Sequence, residues 1–368
     1  MKVGIISSYP PARDAVSMYY CPRLCRTMLA MNSNVRILVA SNAQPNQPED
    51  GNRIKVVKVW SNRSLLSPLR ILRMMMHWKP DVIDCQHEFQ LYGRGIYRAT
   101  FSLILLILKI MCRPIVVTMH HVPLMEDITS NSLKKYSLGR LRNLIALRKA
   151  LIFLYMKIIG LLASRIIVHS RIAKDILTNE YRFDKKKIIV LHQGLDIHHT
   201  NIQSEIQAKE RLCLSDRKII LFFGEIRRSK GLEYAIRAMA KVSFECPEAL
   251  LVVAGDYNPQ SPESKGYLQE IVALVRDLNL DKFVVFTGFV SERDLPTFFT
   301  AADAVLLPYL EDGVVAASGP LSIAIGFAKP IIATKVKKFL DLKDKENALI
   351  VPPADSDSLA EAIISLVK

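Results

Sequence analysis

The stretch FFGEIRRSKGL, residues 222–232, joins an apolar run to a cationic turn and then to a helix-type sequence. Gly224 follows the apolar residues directly, and Arg227, Arg228 and Lys230 come just before the second glycine. In a doubly wound α/β sheet, ligands bind beyond the carboxyl ends of the strands. A helix N-terminus beside guanidinium and ammonium groups attracts phosphate. The stretch therefore predicts a phosphate site, although a solvated basic loop would explain the cations equally well.

Similar apolar runs recur along both halves of the chain and alternate with helix-type sequence. This alternation predicts parallel sheets covered by helices, hence an α/β fold. We predict an N-terminal Rossmann-like domain, 1–200, a polar linker, 201–216, and a C-terminal Rossmann-like domain, 217–368, facing across a ligand-binding cleft. The predicted helices include 18–31, 96–112 and 133–163, and the predicted strands are KVGIIS, NVRILVA, KVVKV, DVIDCQ, PIVVTMH, SRIIVHS and KIIVLH, then KIILFFG, ALLVVAG, KFVVFTG, AVLLPY, PIIAT and ALIVPP.

The composition indicates a folded protein with an anionic partner. The chain has 368 residues, a formal net charge of +15 and a mean hydropathy of +0.18. Such a charge suits nucleic acid, an acidic lipid surface or phosphorylated small molecules. We expect no nucleic acid, because no zinc spacing, RNP-like strand or recognition-helix pattern occurs. The six cysteines are scattered and complete no metal site, which predicts free thiols in a reducing cytosol.

Specific stretches argue against three further classes of protein: a nicotinamide dehydrogenase, a membrane-spanning protein and a secreted protein. A nicotinamide dehydrogenase needs a GxGxxG turn after its first strand, and residues 7–15, SSYPPARDA, contain no glycine. The apolar runs at 100–112 and 151–163 are too short to cross about 30 Å of hydrocarbon, and each includes a lysine. The N-terminus begins with a strand-type sequence rather than the charged and apolar segments of a secretory signal.

A second glycine-containing turn lies in AASGPLSIAIGFAKPIIAT, residues 316–334. Ser318 and Gly319 stand where a loop becomes a helix, and glycine lets the backbone approach an anion closely. Alone, the Gly-Pro pair indicates only a helix start. Two such turns in one sheet favour an anion site over a solvated loop.

Motifs spread over the whole chain together indicate a family. In the second half they are GEIRRSKGL, VVAGDY, FTGFV, AADAVLLPY, SGPLSIAIGFAKPIIAT and ALIVPPADSDSLAEAI. In the first half they are SYPPARDAVSMYY, DVIDCQHEFQLYG, VVTMHH and VLHQGLDI. In this order and spacing they resemble glycosyltransferase family 4, in its branch with a Gln-His-Glu stretch and a Ser-Gly turn. The resemblance implies the GT-B fold and a retaining enzyme that holds a nucleotide diphosphate sugar, UDP- or GDP-linked, in the interdomain cleft.

The resemblance also implies catalytic roles for three residues. Arg227 and Lys230 match the residues that neutralise the diphosphate leaving group, and His120 matches the histidine that reaches the sugar and diphosphate from the N-terminal domain. Preorganised cations and amides can stabilise a departing nucleoside diphosphate without a metal. The retaining mechanism of the family needs no carboxylate nucleophile, and the sequence shows no carboxylate pair of the glycosidase type. We therefore expect no metal and no cofactor.

A larger set of residues is expected to bind substrate by the same resemblance. The Gln-His-Glu stretch is expected on the acceptor side of the cleft, and FTGFV is expected to present backbone to the base. Arg228 is either part of the cationic site or a solvated neighbour. The expected substrate-binding residues are Asp14, Ala15, Gln86, His87, Glu88, Gly224, Gly288, Phe289, Val290, Ser318, Gly319, Pro320 and Leu321.

Three departures from the family pattern leave a second interpretation open. Ala15 stands where family members usually have glycine, and Ile323 stands where many have a ribose-binding glutamate. The sequence also stops one helix after VPPADSDS, whereas relatives usually continue with helices that cross back onto the first domain. The alternative function is that of a catalytically weakened GT-B protein acting as a binding partner or scaffold.

The segment from Leu133 to Lys174 predicts contact with an anionic membrane surface. It contains no acidic residue, and its leucines are interleaved with cations at helical spacing, the pattern of an interfacial helix. Alternatively, the apolar stripe packs onto the sheet and the cations are only solvated. We expect a cytoplasmic protein held peripherally at the inner face of the cell membrane, with a lipid-linked or glycan acceptor. The cations considered are Lys134, Lys135, Arg140, Arg142, Arg148 and Lys149.

Overall fold

Two compact units make up the chain. The computed structural model describes residues 1–12, 16, 20–43, 53–61, 64–89, 91–92, 99–126, 128, 145–192, 204–259, 261–291, 293–311, 314–316 and 318–368. The first unit comprises Met1–His192 with Gly313–Ala317, and the second comprises Gln193–Asp312 with Ser318–Lys368. The predicted domain limits, 1–200 and 217–368, stay a prediction.

The first unit is built on a seven-stranded parallel sheet. Its strands are β1 (Lys2–Ile6), β2 (Arg36–Ser41), β3 (Ile54–Lys58), β4 (Val82–His87), β5 (Ile115–Met119), β7 (Arg165–Val168) and β8 (Ile188–Val190). They correspond to the seven strands predicted for this half. The order β3-β2-β1-β4-β5-β7-β8 reverses between β1 and β4, where a doubly wound sheet places its ligand. Helices cover both faces, so strands such as β2 and β4 are buried almost throughout.

The helices around this sheet include the three that the sequence predicts for this half. They are α1 (Cys21–Met31), α2 (Ser67–Trp78), α3 (Ala99–Leu108), α4 (Ile145–Leu162) and α5 (Arg171–Asn179). Proline stands in the first turn of α1 and of α2, where its missing N–H has no intrahelical partner to lose. The helix predicted over 133–163 is present as α4, and residues 133–144 lie outside the described part. In the described ranges, no helix has both the length and the apolar character to cross a membrane.

A short antiparallel pair was not predicted. Strand β6 (His121–Pro123) follows β5 almost immediately, and it pairs with β13 (Val314–Ala316), which comes from the second half of the sequence. By its contacts, β13 belongs to the first unit. The Val315 side chain is buried in the apolar core of that unit. The first unit is therefore completed by a strand that the chain supplies only after most of the second unit.

The second unit repeats the parallel architecture with six strands. They are β9 (Lys218–Phe223), β10 (Ala249–Ala254), β11 (Val284–Gly288), β12 (Ala304–Leu307), β14 (Ile331–Thr334) and β15 (Leu349–Val351). All six were predicted. The order β11-β10-β9-β12-β14-β15 reverses between β9 and β12, so the ends of these two strands flank the expected ligand position.

The helices of the second unit form two layers. They are α6 (Glu205–Arg211), α7 (Leu232–Glu245), α8 (Pro262–Asp277), α9 (Leu295–Ala301), α10 (Gly319–Gly326) and α11 (Ser356–Val367). Alternate side chains of β9 serve the two layers: Phe222 packs with α7, α8 and α11, and Phe223 packs with α9 and α10. Helix α6 lies inside the range predicted as a linker, and a capping box formed by Ser204 and Gln207 starts it.

Candidate active site

Three glycines stand at the carboxyl ends of neighbouring strands in the second unit. Gly224 follows β9, Gly255 follows β10 and Gly288 ends β11. Gly224 and Gly288 have φ of +129° and +70°, which side-chain-bearing residues rarely adopt. A Cβ atom on Gly255 would lie 1.9 Å from the carbonyl oxygen of Gly224. The strand ends therefore present closely packed bare backbone, and Gly224 and Gly288 are two of the residues expected to bind substrate.

The turn after β9 is held tightly against two neighbouring loops. The Ile226 N–H donates a 2.9 Å hydrogen bond to the carbonyl of Asp256. Gly231 has a φ of +64°, and a Cβ atom there would lie 2.0 Å from the carbonyl oxygen of Pro308. This contact joins the turn to the end of β12, on the other side of the point where strand order reverses.

Both cations predicted to be catalytic in the second unit lie in this turn. Lys230 is buried, and its Nζ lies 3.6 Å from the centroid of the Tyr309 ring, a cation–π contact. Lys338 Nζ approaches the same ring at 5.7 Å. The Nε of Arg227 is buried and, within the described ranges, has no hydrogen-bond acceptor. A buried guanidinium donor without an acceptor can bind an anion strongly.

Arg228 lies on the surface, where an ion pair with Glu270 engages its guanidinium group. Its Nη2 donates to both carboxylate oxygens of Glu270, at 2.7 and 2.6 Å, and its guanidinium lies 5.0 Å from the Tyr267 ring centroid. The hydrogen bond to Glu270 raises the pKa of Arg228. These contacts separate Arg228 from its two cationic neighbours, a distinction that the sequence left open.

The second predicted anion site lies at the start of α10. Ser318 caps this helix, and its Oγ accepts a 3.3 Å hydrogen bond from the Leu321 N–H. Pro320 has no N–H, and the Ser322 N–H donates to the Ser318 carbonyl. Among the described contacts, the Gly319 N–H has no acceptor, which makes it the amide that remains for a ligand.

The two glycine turns are adjacent. A Cβ atom on Gly224 would lie 3.6 Å from Cγ of Pro320, in ordinary van der Waals contact. The Gly224 turn, which leads to Arg227 and Lys230, therefore meets the N-terminus of α10. Cationic side chains and a helix N-terminus at one sheet edge favour binding of a polyanion.

The remaining predicted residues of the second unit divide into exposed and buried side chains. The Phe289 ring is 61% exposed beside Gly288, whereas Val290 is buried in the core. Leu321 is half-buried against the same apolar cluster. Ile323, which we expect from the sequence at the family's glutamate position, is also buried there, among apolar neighbours. Val290 could therefore serve a ligand only through its backbone.

In the first unit, the structure brings His120 and Gln86 together. His120 follows β5, and its Nε2 lies 2.7 Å from Oε1 of Gln86, which is buried in β4. Asp84, two residues earlier on the same face of β4, accepts hydrogen bonds from Gln86 Nε2 at 2.6 Å and from Thr118 Oγ1 at 3.0 Å. Tyr20 packs edge-on against the His120 ring at 4.5 Å between centroids.

The other two residues of the Gln-His-Glu stretch point elsewhere. The His87 side chain is buried, its Nε2 lies 2.8 Å from the Tyr155 hydroxyl, and its ring packs against Phe89 and Phe101. Glu88 Oε1 lies 3.6 Å from Nδ1 of His121. The period of two along a strand separates His87 from the His120 cluster. His87 is thus placed for packing against α3 and α4.

Burial disfavours the protonated form of three imidazoles in this region, those of His120, His87 and His169. Burial, with the neighbouring His169, His121 and His87, holds the pKa of His120 well below its usual range. Burial also lowers the pKa of His87 to about 3 and that of His169. Burial raises the pKa of Asp84 to about 6, and the hydrogen bonds from Thr118 and Gln86 offset only part of this effect. The site can offer neutral imidazole nitrogens at neutral pH.

Several site residues were missed from sequence. In the first unit these are Asp84, Thr118, Tyr20 and His169, whose ring lies 5.1 Å from that of His120. Two of them carry a readable signal: Asp84 is a carboxylate inside an apolar strand, and His169 follows β7 as His120 follows β5. In the second unit the missed residues are Gly255, Tyr309 and Lys338. The expected binding residues Asp14 and Ala15 lie outside the described residues.

Comparison with known proteins identifies the family. Residues 19–199 match the family described as Glycosyltransferase Family 4, and residues 217–368 match Glycosyl transferases group 1. An uncharacterized glycosyltransferase from Methanocaldococcus jannaschii is 29% identical over 204 residues, covering 53% of this chain and 49% of that protein. For an alpha-D-kanosaminyltransferase from Streptomyces kanamyceticus the identity is 29% over 164 residues, covering 44% of this chain and 39% of that protein. The chain thus spans half or less of the length of these curated relatives.

A solved structure shares the architecture of nearly the whole chain. Anabaena HepE, in complex with UDP-glucose, superposes with a TM-score of 0.71 at 18% identity, covering 99% of this chain and 89% of that one. This likeness and the two parallel-sheet units show the GT-B fold. With family matches over both halves, the chain belongs to glycosyltransferase family 4.

Proposed function

We propose that the protein is a retaining glycosyltransferase that moves a sugar from a UDP- or GDP-linked donor to a lipid-linked or glycan acceptor. The acceptor hydroxyl attacks the anomeric carbon from the face that the diphosphate leaves, and the departing phosphate takes up the hydroxyl proton. Negative charge grows on the leaving nucleoside diphosphate during this step. Stabilising that charge is the main task of the site.

The convergence of two turns in the second unit carries this proposal. Gly224 lies next to Pro320, because a Cβ atom on Gly224 would be 3.6 Å from Cγ of Pro320, so the cationic turn and the start of α10 lie at one edge. Arg227 and Lys230 supply cations there, and Gly319 supplies an oriented amide. A diphosphate has enough oxygens to engage all three groups, and they need no metal ion for this role.

His120 is the proposed sugar-side residue of the first unit. Its imidazole is neutral, and Gln86 and Tyr20 fix its ring. A neutral imidazole donates a hydrogen bond from its protonated nitrogen and accepts one at the other nitrogen, which suits a sugar hydroxyl.

Nucleotide binding and transfer test the proposal together. Calorimetric titration with UDP, GDP and their hexose conjugates should show binding, with UDP-glucose tested first because HepE was solved with it. Lys230→Ala and Arg227→Ala should each weaken diphosphate binding about tenfold or more, through loss of a charge-assisted hydrogen bond. Arg228→Ala is the matched control, since its partner is Glu270, and should bind like the wild type. If no nucleotide or nucleotide sugar binds, the proposal is wrong.

The stereochemistry of the product tests retention separately. NMR of the new glycosidic bond should show the anomeric configuration of the donor. Inversion would leave the donor site intact and overturn the same-face attack.

A catalytically weakened binding protein is the second candidate function. The observation that favours it is Ile323, which is buried at the position of the family's ribose-binding glutamate. This candidate predicts that nucleotide sugars bind but that neither transfer nor hydrolysis occurs with any donor of the panel. Ile323→Glu should not restore activity, because the side chain faces an apolar cluster.

We further propose that the first unit docks on anionic lipid at the cytosolic face of the membrane. Helices α2, α3 and α4 contain no acidic residue. Several of their leucines are exposed although α3 packs against both α2 and α4. On α4 the exposed leucines are spaced four, three and seven positions apart, which places them along one stripe: Leu147, Leu151, Leu154 and Leu161.

One cation of the predicted lipid-binding set is wrongly placed. Arg148 is 1% exposed, so it lies inside the first unit and cannot face a membrane. Lys149 is partly exposed, and Lys134, Lys135, Arg140 and Arg142 lie outside the described residues. The exposed leucines of α4 therefore support docking on lipid more directly than the predicted set of cations does.

Vesicle co-sedimentation tests docking without any enzyme assay. Leu154→Glu with Leu161→Glu should reduce binding to vesicles of phosphatidylglycerol and phosphatidylcholine about tenfold. Ile206→Glu is the control, because Ile206 is 71% exposed, like Leu161 at 72%, but lies in the second unit. Neutralising the four basic residues of 134–142 should further weaken binding to anionic vesicles and should not change binding to uncharged vesicles. Equal partitioning of all variants would refute docking through this face.

A further inference from the structure

A chain of three hydrogen bonds runs from the interior of the first unit to His120. Thr118 Oγ1 donates to Asp84 Oδ1 at 3.0 Å, and Gln86 Nε2 donates to Asp84 Oδ2 at 2.6 Å. The other end of the Gln86 amide, Oε1, lies 2.7 Å from His120 Nε2. Asp84 is 6% exposed and Gln86 is fully buried, so water does not compete for these contacts.

The direction of the chain follows from Asp84. An ionised carboxylate only accepts hydrogen bonds, so the Gln86 amide must turn its NH₂ group toward Asp84. The carbonyl oxygen of the same rigid amide is then the atom that faces His120. Because a carbonyl oxygen also only accepts, His120 must carry its proton on Nε2.

The Asp84 carboxylate is an unfavourable group in this position if it serves packing alone. No lysine or arginine of the described residues forms an ion pair with it, and Tyr20, Cys85 and Tyr92 are its titratable neighbours. An apolar side chain would avoid the loss of solvation that the carboxylate suffers there. A role in orienting Gln86 explains why a carboxylate stands at position 84, where the hydrogen bonds from Gln86 and Thr118 meet.

We propose that Asp84 is a positioning residue that acts through Gln86 and holds His120 as the tautomer protonated on Nε2. The Nδ1 atom of His120 is then an obligatory acceptor for a hydroxyl group of the sugar substrate. The identity of that ligand rests on the proposed function, whereas the tautomer itself does not. His169 and Tyr20 hold the ring plane, so the choice of tautomer decides which hydrogen bonds the imidazole makes.

Nitrogen-15 NMR of the imidazoles tests the tautomer directly. In ¹⁵N-histidine-labelled protein above about pH 7.5, where Asp84 is ionised, His120 should show a protonated-type Nε2 and an unprotonated-type Nδ1. Its signals are assigned by their loss in His120→Gln. Asp84→Leu removes the acceptor for Gln86, which frees the amide to reverse, and both shifts should move toward averaged values.

Asp84→Asn is the conservative rescue. Its Oδ1 can still accept from Gln86 while its Nδ2 donates to the Thr118 hydroxyl, so the wild-type shifts should return. Asp81→Leu is the matched control: this carboxylate lies three residues earlier, accepts from the Lys2 N–H at 2.7 Å and should not alter His120. If Asp84→Leu does not fold, Gln86→Leu tests the same link with Asp84 intact.

Activity provides the second measurement. The kcat for sugar transfer should fall about tenfold in Asp84→Leu and about threefold or less in Asp84→Asn. The proposal would be overturned if His120 of the wild-type protein carried its proton on Nδ1. It would also be overturned if the His120 shifts were unchanged in Asp84→Leu and in Gln86→Leu. If the tautomer behaves as stated but no nucleotide sugar binds, the proposed function fails and the positioning role of Asp84 stands.

Discussion

Acid should unfold the first unit through His87. The ring is buried between Phe89, Phe101 and Tyr155, and its Nε2 hydrogen-bonds the Tyr155 hydroxyl. Its Nδ1 is buried and, in the described part of the chain, makes no hydrogen bond. Burial lowers the pKa of His87 from 6.5 to about 3. The folded protein therefore holds His87 neutral at a pH where the unfolded chain would protonate it.

The sign and size of the effect follow from proton linkage. A depressed folded-state pKa gives stability that is complete above the unfolded pKa of 6.5 and is lost progressively as pH falls toward about 3. At about pH 5 the unfolded chain lies about 1.5 pH units below its pKa, so His87 alone removes about 2 kcal/mol. Asp84 acts in the opposite sense: its raised pKa stabilises the folded state as pH falls from about 6 toward 3.8.

A difference between variants isolates the His87 contribution. Urea unfolding at about pH 7.5 and about pH 5 gives the free energy lost on acidification. The wild type should lose about 2 kcal/mol more than His87→Gln, because Asp84 and the other histidines contribute equally to both. Tryptophan fluorescence reports on the correct unit, since both tryptophans, Trp60 and Trp78, lie in the first one.

An exposed histidine provides the control. His77→Gln, which changes an exposed side chain on α2, should behave like the wild type in both titrations. Equal losses for wild type and His87→Gln would mean that His87 is solvated or protonated in the folded protein, and the reasoning would fail.

Three further predictions concern packing. Gly255→Ala forces a Cβ atom against the carbonyl oxygen at the end of β9 and should lower the free energy of unfolding by about 3 kcal/mol. Gly266→Ala, which has open space around it in α8, should raise the free energy of unfolding slightly. Urea titrations that rank the two variants in the other order would contradict this packing. In the wild type, Nζ of the buried Lys209 lies 2.8 Å from the Asp303 carboxylate. Asp303→Ala removes this main partner and should lower the free energy of unfolding, followed by circular dichroism, by about 3 kcal/mol. A loss below about 1 kcal/mol would refute this expectation. Val315→Asp places a charge in the core of the first unit and should shift its tryptophan-detected midpoint to lower urea; an unchanged midpoint would show that β13 contributes nothing there.

The parallel strands were predictable from sequence because both of their faces are buried. Runs such as ALLVVA in β10 and RILVAS in β2 are nearly continuous apolar residues, and that pattern does not depend on knowing the partner strand. The pair β6 and β13 has three residues in each strand and joins positions almost two hundred apart. Such short strands carry no period, so their pairing could be found only in the structure.

In the candidate site, too, local features could be predicted from the sequence, whereas contacts between distant residues could not. The glycine turns after β9 and before α10 were predicted, because glycine and a cation at a strand end are local signals. Arg228 could not be separated from its neighbours, since Glu270, which binds it, lies far along the chain. The link from Asp84 to His120 crosses two strands, and its register is set by tertiary pairing. Sequence therefore predicts which residues approach the site better than it predicts which partner each one has.

The placement of β13 bears on how the protein can be cut into fragments. A boundary near residue 200 would leave the front piece without the strand that pairs with His121–Pro123, and would leave a hole where Val315 inserts. The back piece would carry the same strand with its backbone groups unsatisfied, a template for aggregation. Separate expression should therefore give poorly behaved halves, and supplying residues 313–317 to the front piece as a peptide or a grafted tail should rescue it.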